Sequence, residues 1–133
     1  MKIRALFLSL AACVALIPLV SQAHHSFAAE FLADEWATIE GEVTQVWFKN
    51  PHVRYYVDVT DEDGNVIQWD ARTNAASMLQ RQGWNKNTLK IGDKVTMYGN
   101  LGRDGKKLLS IFTVTLPDGT ELSTAPGSVV TQQ

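Results

Sequence analysis

The sequence holds one cysteine, Cys13, and three histidines, His24, His25 and His52. A lone thiol cannot close a disulfide within the chain, and cysteine-based zinc and redox frameworks are excluded. There is no Gly-x-Ser-x-Gly elbow, no glycine-rich phosphate loop and no His-Glu-x-x-His pair, so the common nucleophile, nucleotide and metallopeptidase arrangements are missing. Carboxylates are plentiful, but they fall in turns and at outward strand positions, where solvation explains them. An enzyme is not expected. Basic residues number 12 against 14 acidic ones, and no basic run or stripe occurs. That balance argues against nucleic acid as a partner. A long apolar run is missing too. The one such stretch, 5–20, falls short of the roughly 20 residues a helix needs to cross a bilayer, so no membrane span is expected after processing.

What that stretch does fit is a secretory signal. Lys2 and Arg4 supply a positive start, residues 5–20 the apolar region, and Ser21 and Ala23 the −3 and −1 positions of a small-residue cleavage site. The expectation is a signal peptide over 1–23, cleavage after Ala23 and a soluble periplasmic product. Leu10-Ala11-Ala12-Cys13 also fits a lipoprotein box. Cutting there would leave Cys13 lipidated, but followed by the apolar 14–20, whereas tethers after a lipid anchor are usually polar. The exported chain of 133 residues less 23 is enough for one core and one domain.

Within that chain, turn signals recur at short spacing. Asp61-Glu62-Asp63-Gly64-Asn65, Arg103-Asp104-Gly105 and Leu116-Pro117-Asp118-Gly119 each place Asp-Gly between β-rich runs. The first lacks the ligand spacing of a calcium loop and reads as a hairpin. Between turns the residues alternate: Val53, Tyr55, Val57 and Val59 face one way, while His52, Arg54, Tyr56 and Asp58 face the other. Ile67, Trp69 and Ala71 likewise oppose Val66, Gln68, Asp70 and Arg72. Ile39, Gly41 and Val43 keep one phase that Val46 and Phe48 do not, which predicts a β-bulge at Thr44-Gln45. Gly41 eases a sharp coil in that long strand.

Thr73 or Asn74 can cap a short helix over 75–82, with Gly83 as its stop. Two further runs, 94–99 and 107–116, complete an order of three strands, helix, two strands. That is the order of an oligonucleotide/oligosaccharide-binding (OB) barrel. The fold expected is therefore all-β with one short helix, a small five-stranded OB-like barrel. It spans 36–122, behind an N-terminal arm at 24–35 and ahead of a flexible tail at 123–133.

Cleavage after Ala23 would put a free amine on His24. Amine and ring nitrogen of one residue can close a chelate ring around a metal, and His25 or His52 can supply the next nitrogen. Nitrogen-rich sites with open positions favour copper(II), so a copper ion is the cofactor expected at His24, His25 and His52. Pro51 fixes the chain ahead of His52 and presents its ring at a rigid strand entrance. A second candidate is the outward face around Arg54, Tyr56, Gln68, Asp70 and Arg72, able to take a peptide, a glycan or an envelope protein. Trp36, Trp47 and Tyr56 would lend it an aromatic platform. Arg54, Asp70 and Arg72 can instead pair with one another. Inward Trp69 and Tyr55 belong to the core, and Trp84 to the plug beyond the helix. The partner expected is a metal ion or an envelope protein, with nucleic acid excluded.

The segments Ala23-His24-His25-Ser26-Phe27-Ala28-Ala29-Glu30-Phe31, Gly41-Glu42-Val43-Thr44, Asn50-Pro51-His52 and Tyr56-Val57-Asp58-Val59 together resemble a family of small exported bacterial proteins catalogued as a domain of unknown function. The likeness continues through Arg81-Gln82-Gly83-Trp84, Gly92-Asp93-Lys94-Val95 and Val114-Thr115-Leu116-Pro117-Asp118-Gly119. It implies export and a shared fold, carries no activity, and groups the His-His and Asn-Pro-His histidines as one set. Leu32-Ala33-Asp34 departs from the family's pattern, in which an acidic residue tends to come first.

Overall fold

Alternating strands joined by Asp-Gly turns curl into a single sheet. The computed structural model describes residues 27–127. After a helical turn at 27–30 come β1 (Phe31–Trp47), β2 (Arg54–Thr60), β3 (Val66–Arg72), the helix α1 (Ala76–Arg81), β4 (Lys94–Gly102), β5 (Leu108–Thr115) and β6 (Glu121–Ser123). The strand order is β3-β2-β1-β4-β5-β6. All neighbours are antiparallel, and β3 additionally meets β5 in parallel over Asp70↔Leu108, Ala71↔Leu109 and Arg72↔Ser110. The sheet thus bends round on itself as the partly open barrel of the OB architecture.

β1 serves both flanks. Its early part pairs with β4 from Trp36↔Asn100 to Glu42↔Lys94, and its later part with β2 from Glu42↔Asp58 to Trp47↔Arg54. The register with β2 shifts between Val43 and Gln45, where the change of hydrophobic phase predicts a bulge. There the Val43 N–H donates to the Asp93 carbonyl at 2.9 Å, and the Val43 carbonyl accepts from Gly92 at 2.8 Å. The turn before β4 therefore absorbs the backbone groups that the bulge frees. Gly41 serves close approach as well as coiling: a Cβ there would overlap the Asp58 carbonyl oxygen of β2.

The inward faces fill the barrel. Val43, Tyr55, Val57, Met97, Leu109 and Val114 are fully buried, in the alternation expected. Leu79 of α1, Trp84 and Leu89 belong to the same buried cluster, so the helix and the chain after it plug the barrel. Trp69 is half-buried against this cluster, with the Lys107 amino group 5.3 Å from its ring centre. Tyr55 is wholly buried, and burial pushes its phenol well above the usual value.

Three expectations need correction. The cap of α1 is neither Thr73 nor Asn74: Ala75 stands at that position without a side-chain bond. Asn74 donates instead to the Thr124 carbonyl at 2.8 Å, and the Ser77 N–H is received by Asn50 Oδ1 at 3.2 Å. A long-range partner has replaced the local one. At the other end Gly83, at φ 91°, stops the helix as expected, its N–H donating to the Gln80 carbonyl.

The flexible tail does not begin at 123, because β6 runs to Ser123 and pairs with β5 as a sixth strand. Thr124 behind it is buried, its hydroxyl donating to the Ile111 carbonyl at 2.7 Å. Nor is 24–35 a separate arm throughout. Phe31 opens β1 opposite Gly102, is buried, and stacks on Phe27 with ring centres 5.2 Å apart. The excess residues after it loop outward, held by the Asn100 side-chain amide, which donates to the Leu32 and Ala33 carbonyls.

Candidate metal and ligand site

His52 stands just before β2, behind the Asn50-Pro51 peptide. Its ring Nδ1 lies 3.2 Å from the Thr73 carbonyl oxygen. A carbonyl only accepts, so this bond requires a hydrogen on Nδ1, and in the neutral ring Nε2 is then the nitrogen with the lone pair. The backbone of this corner is tied down: the Val53 N–H donates to the Asn74 carbonyl and the Thr73 N–H to the Val53 carbonyl, each at 3.0 Å. An imidazole anchored through one nitrogen to a fixed carbonyl is how metal-ligating histidines are oriented.

Two hollows meet at this ring. A cavity of about 230 Å³ is lined by His52 together with Phe27, Glu30, Phe31, Arg72 and Thr73. A shallower groove of about 360 Å³ on the other side is lined by Trp47, Pro51, His52, Arg54 and Tyr56. Trp47 is about half exposed, at 52%, and the Lys49 amino group sits 4.4 Å over its ring.

The outward positions of β2 and β3 divide between these hollows and one another. Arg72 donates from Nε and Nη2 to Asp70 Oδ2 at 2.9 and 2.8 Å, and from Nη1 to Glu30 Oε1 at 2.8 Å. Arg54 Nη1 reaches the same Asp70 oxygen at 3.5 Å. Burial works to lower the Arg72 pKa, but the hydrogen bonds and charges of Asp70 and Glu30 outweigh it, and the guanidinium is held charged. Gln68 donates to Asp58 Oδ1 at 3.3 Å and to Thr44 Oγ1 at 3.4 Å. Gln68, Asp70 and Arg72 are thus engaged with neighbours, while Tyr56 and Arg54, which also reaches Asp70, line the groove.

Trp47 and Tyr56 share that groove, but Trp36 does not. It stacks on Tyr98 at 5.1 Å and meets Phe112 edge-on at 5.7 Å, on the outer face of β1, β4 and β5. Phe27, expected from the sequence to dock together with Phe31, also lines the cavity at His52. Glu30 lines it too and was not singled out by sequence reasoning, because its contact is with Arg72 of β3, 42 residues away.

His24 and His25 lie outside the described residues. Among the described residues no three of His, Cys, Asp and Glu assemble into a metal-holding group, and no helix is long and apolar enough to cross a membrane.

Two solved structures share a comparable chain trace. One is the mitochondrial single-stranded DNA-binding protein Rim1 of S. cerevisiae, at 9% identity and TM-score 0.46, covering 62% of this chain and 93% of that one. The other is a small single-stranded DNA-binding protein from Streptomyces coelicolor, at 15% identity and TM-score 0.45, covering 67% and 99%. Both are named as single-stranded DNA-binding proteins, and the expectation that excluded nucleic acid as a partner is withdrawn. Whole-chain charge is too coarse for that exclusion: a ligand meets one groove, and Lys49, Arg54 and Trp47 gather locally here. No curated protein matches the sequence. The family of unknown function DUF6152 matches residues 11–109, most of the chain, and the protein belongs to that family.

Proposed function

We propose that the chain is exported, cut after Ala23, and binds copper(II) through the His24 amine and ring together with His52 Nε2, with His25 competing for the same place. The role is capture, storage or delivery of the ion. The observation that carries this reading is the state of His52: Nδ1 is committed to the Thr73 carbonyl, so Nε2 is left for a ligand beside a cavity that Phe27 also lines. His24 precedes Phe27 by three residues, a reach of about 10 Å for extended chain. That reach supports bringing the chelating end of the exported chain to His52. Imidazole and amine donors with an open position suit copper(II) above the other divalent first-row ions.

The test is copper titration of mature protein with a verified His24 start against the same chain carrying one extra residue before His24. The native form should bind more tightly, and its affinity should fall as pH drops through the amine and imidazole values, about 8 and 6.5. Equal affinity in the two forms refutes the amine chelate. A second reading, a metal-free module for a peptide or glycan, is favoured by the groove in which half-exposed Trp47 faces Tyr56 and Arg54. Under it, substitution at Trp47 abolishes ligand binding and copper leaves the protein unchanged.

A further inference from the structure

Trp47 of β1 stands directly across from Arg54 of β2, and Tyr56 lies two residues further along the same outward face. With Pro51 and His52 they line the groove of about 360 Å³, at the small end of the range for ligand pockets. Arg54 is its under-used group. Nη1 stands 3.5 Å from Asp70 Oδ2, beyond the usual hydrogen-bond length, because Arg72 holds that oxygen with two shorter bonds. Among the described residues the remaining N–H groups of Arg54 have no partner. Nor do the charges balance. Arg54, Arg72 and Lys49 stand against Asp70 and Glu30, which leaves one positive charge over. Among the described residues no carboxylate lines the groove itself.

That positive charge is local. Two residues past Tyr56, Asp58 lies opposite Glu42, and both line the next hollow along these strands with Glu40 and one lysine, Lys94. The groove therefore fits one anionic group beside a flat apolar face. A sugar acid has both. The C–H bonds along one face of its ring meet the negative face of the half-exposed Trp47 indole, and its planar carboxylate matches the arginine fork. From this we infer that the groove binds a single acidic sugar residue, a uronic acid, with Trp47 under the ring, Arg54 on the carboxylate and Lys49 completing the charge. The inference rests on the reading of this groove given above and names its ligand class; it uses no nitrogen of the copper site.

The experiment is isothermal titration calorimetry of copper-free mature protein with a diuronic acid, with the neutral dihexose of the same linkage and with oligothymidylate. The diuronate should bind about 10- to 100-fold more tightly than the neutral sugar, the range for a hydrogen bond to a charged group, and should weaken as salt rises. Arg54→Gln should remove that preference and leave the neutral sugar as it was, while Trp47→Ala abolishes binding of both. Lys49→Gln changes an exposed residue outside the strands, so its result does not depend on folding; it should weaken the diuronate alone. If the two sugars bind equally and Trp47→Ala abolishes both, the acid preference is wrong and the glycan groove stands. If neither sugar binds, the glycan reading of the groove falls and the inference with it. A preference for the diuronate that survives Arg54→Gln overturns the inference, as does oligothymidylate binding more tightly than the diuronate.

Discussion

Replacing Tyr55 by Phe isolates one oxygen atom in the barrel core. The residue is wholly buried, and among the described residues its hydroxyl has no hydrogen-bond partner. A buried, unpaired polar atom costs about 1–3 kcal/mol relative to water, while the ring of Phe retains the packing. Tyr55→Phe should therefore leave stability at pH 7 unchanged or raise it by about 1 kcal/mol. The same burial pushes the phenol far above its usual value, and this fixes a sign at high pH. In the unfolded chain the group ionises near pH 10, whereas in the folded chain it stays protonated. The unfolded state then binds fewer protons, so wild-type stability falls above pH 10 by about 1.4 kcal/mol per pH unit from this group alone. Tyr55→Phe removes that slope and leaves those of the other titrating groups. Urea unfolding followed by tryptophan fluorescence, at pH 7 and at steps from 9.5 to 11.5, measures both effects as differences between the two proteins. A loss of 1 kcal/mol or more at pH 7 would show that the hydroxyl is hydrogen-bonded in solution. Parallel alkaline slopes would show that the phenol ionises in the folded state. Either result refutes the reasoning.

Trp84→Ala should destabilise by about 3–5 kcal/mol, the cost of emptying a large buried side chain, because Trp84 is only 2% exposed within the plug; the urea midpoint checks this. In acid, hydrogen bonds from Asn65 hold the Asp61 carboxyl below its ordinary value, and those from Thr120 do the same for Asp118. Both groups are lower in the folded than in the unfolded chain. Their stabilising contribution is therefore present above the unfolded value near 3.9 and is lost as pH falls through the folded ones. The stability difference between wild type and Asp61→Ala should accordingly shrink as pH is lowered below about 4, read by acid unfolding at fixed urea.

The barrel was legible where one physical rule decides the outcome. Tyr55, Val57 and Ala71 occupy inward positions because strand side chains alternate, and all three are fully buried. The phase change between Val43 and Val46 marks a bulge because only an extra residue can turn both toward the core. What stayed hidden depends on partners distant in sequence. Asn50 supplants Thr73 and Asn74 at the head of α1 because the chain folds back there, and no local pattern announces it. β6 is three residues long and is stabilised by pairing with β5, not by a hydrophobic run of its own. At the site, His52 was legible as a presented ring. The freedom of its Nε2 was not, because that follows from where the Thr73 carbonyl lies.

The parallel meeting of β3 with β5 also bears on how the chain reaches this state. β1, β2 and β3 join through short connections, and β4, β5 and β6 do the same. Each set can form from contacts close in sequence. The β1–β4 pairing and the three-residue β3–β5 seam alone unite strands of the first set with strands of the second, across the long connection that carries α1. Closing that loop costs entropy before the seam returns any stabilisation, and non-local pairing of this kind sets the speed of β-barrel folding. The seam, with three residue pairs against the eight of β1–β4, should close after that ladder and open before it. Amide hydrogens around Asp70 and Leu108 exchange with solvent sooner than those shared by β1 and β2.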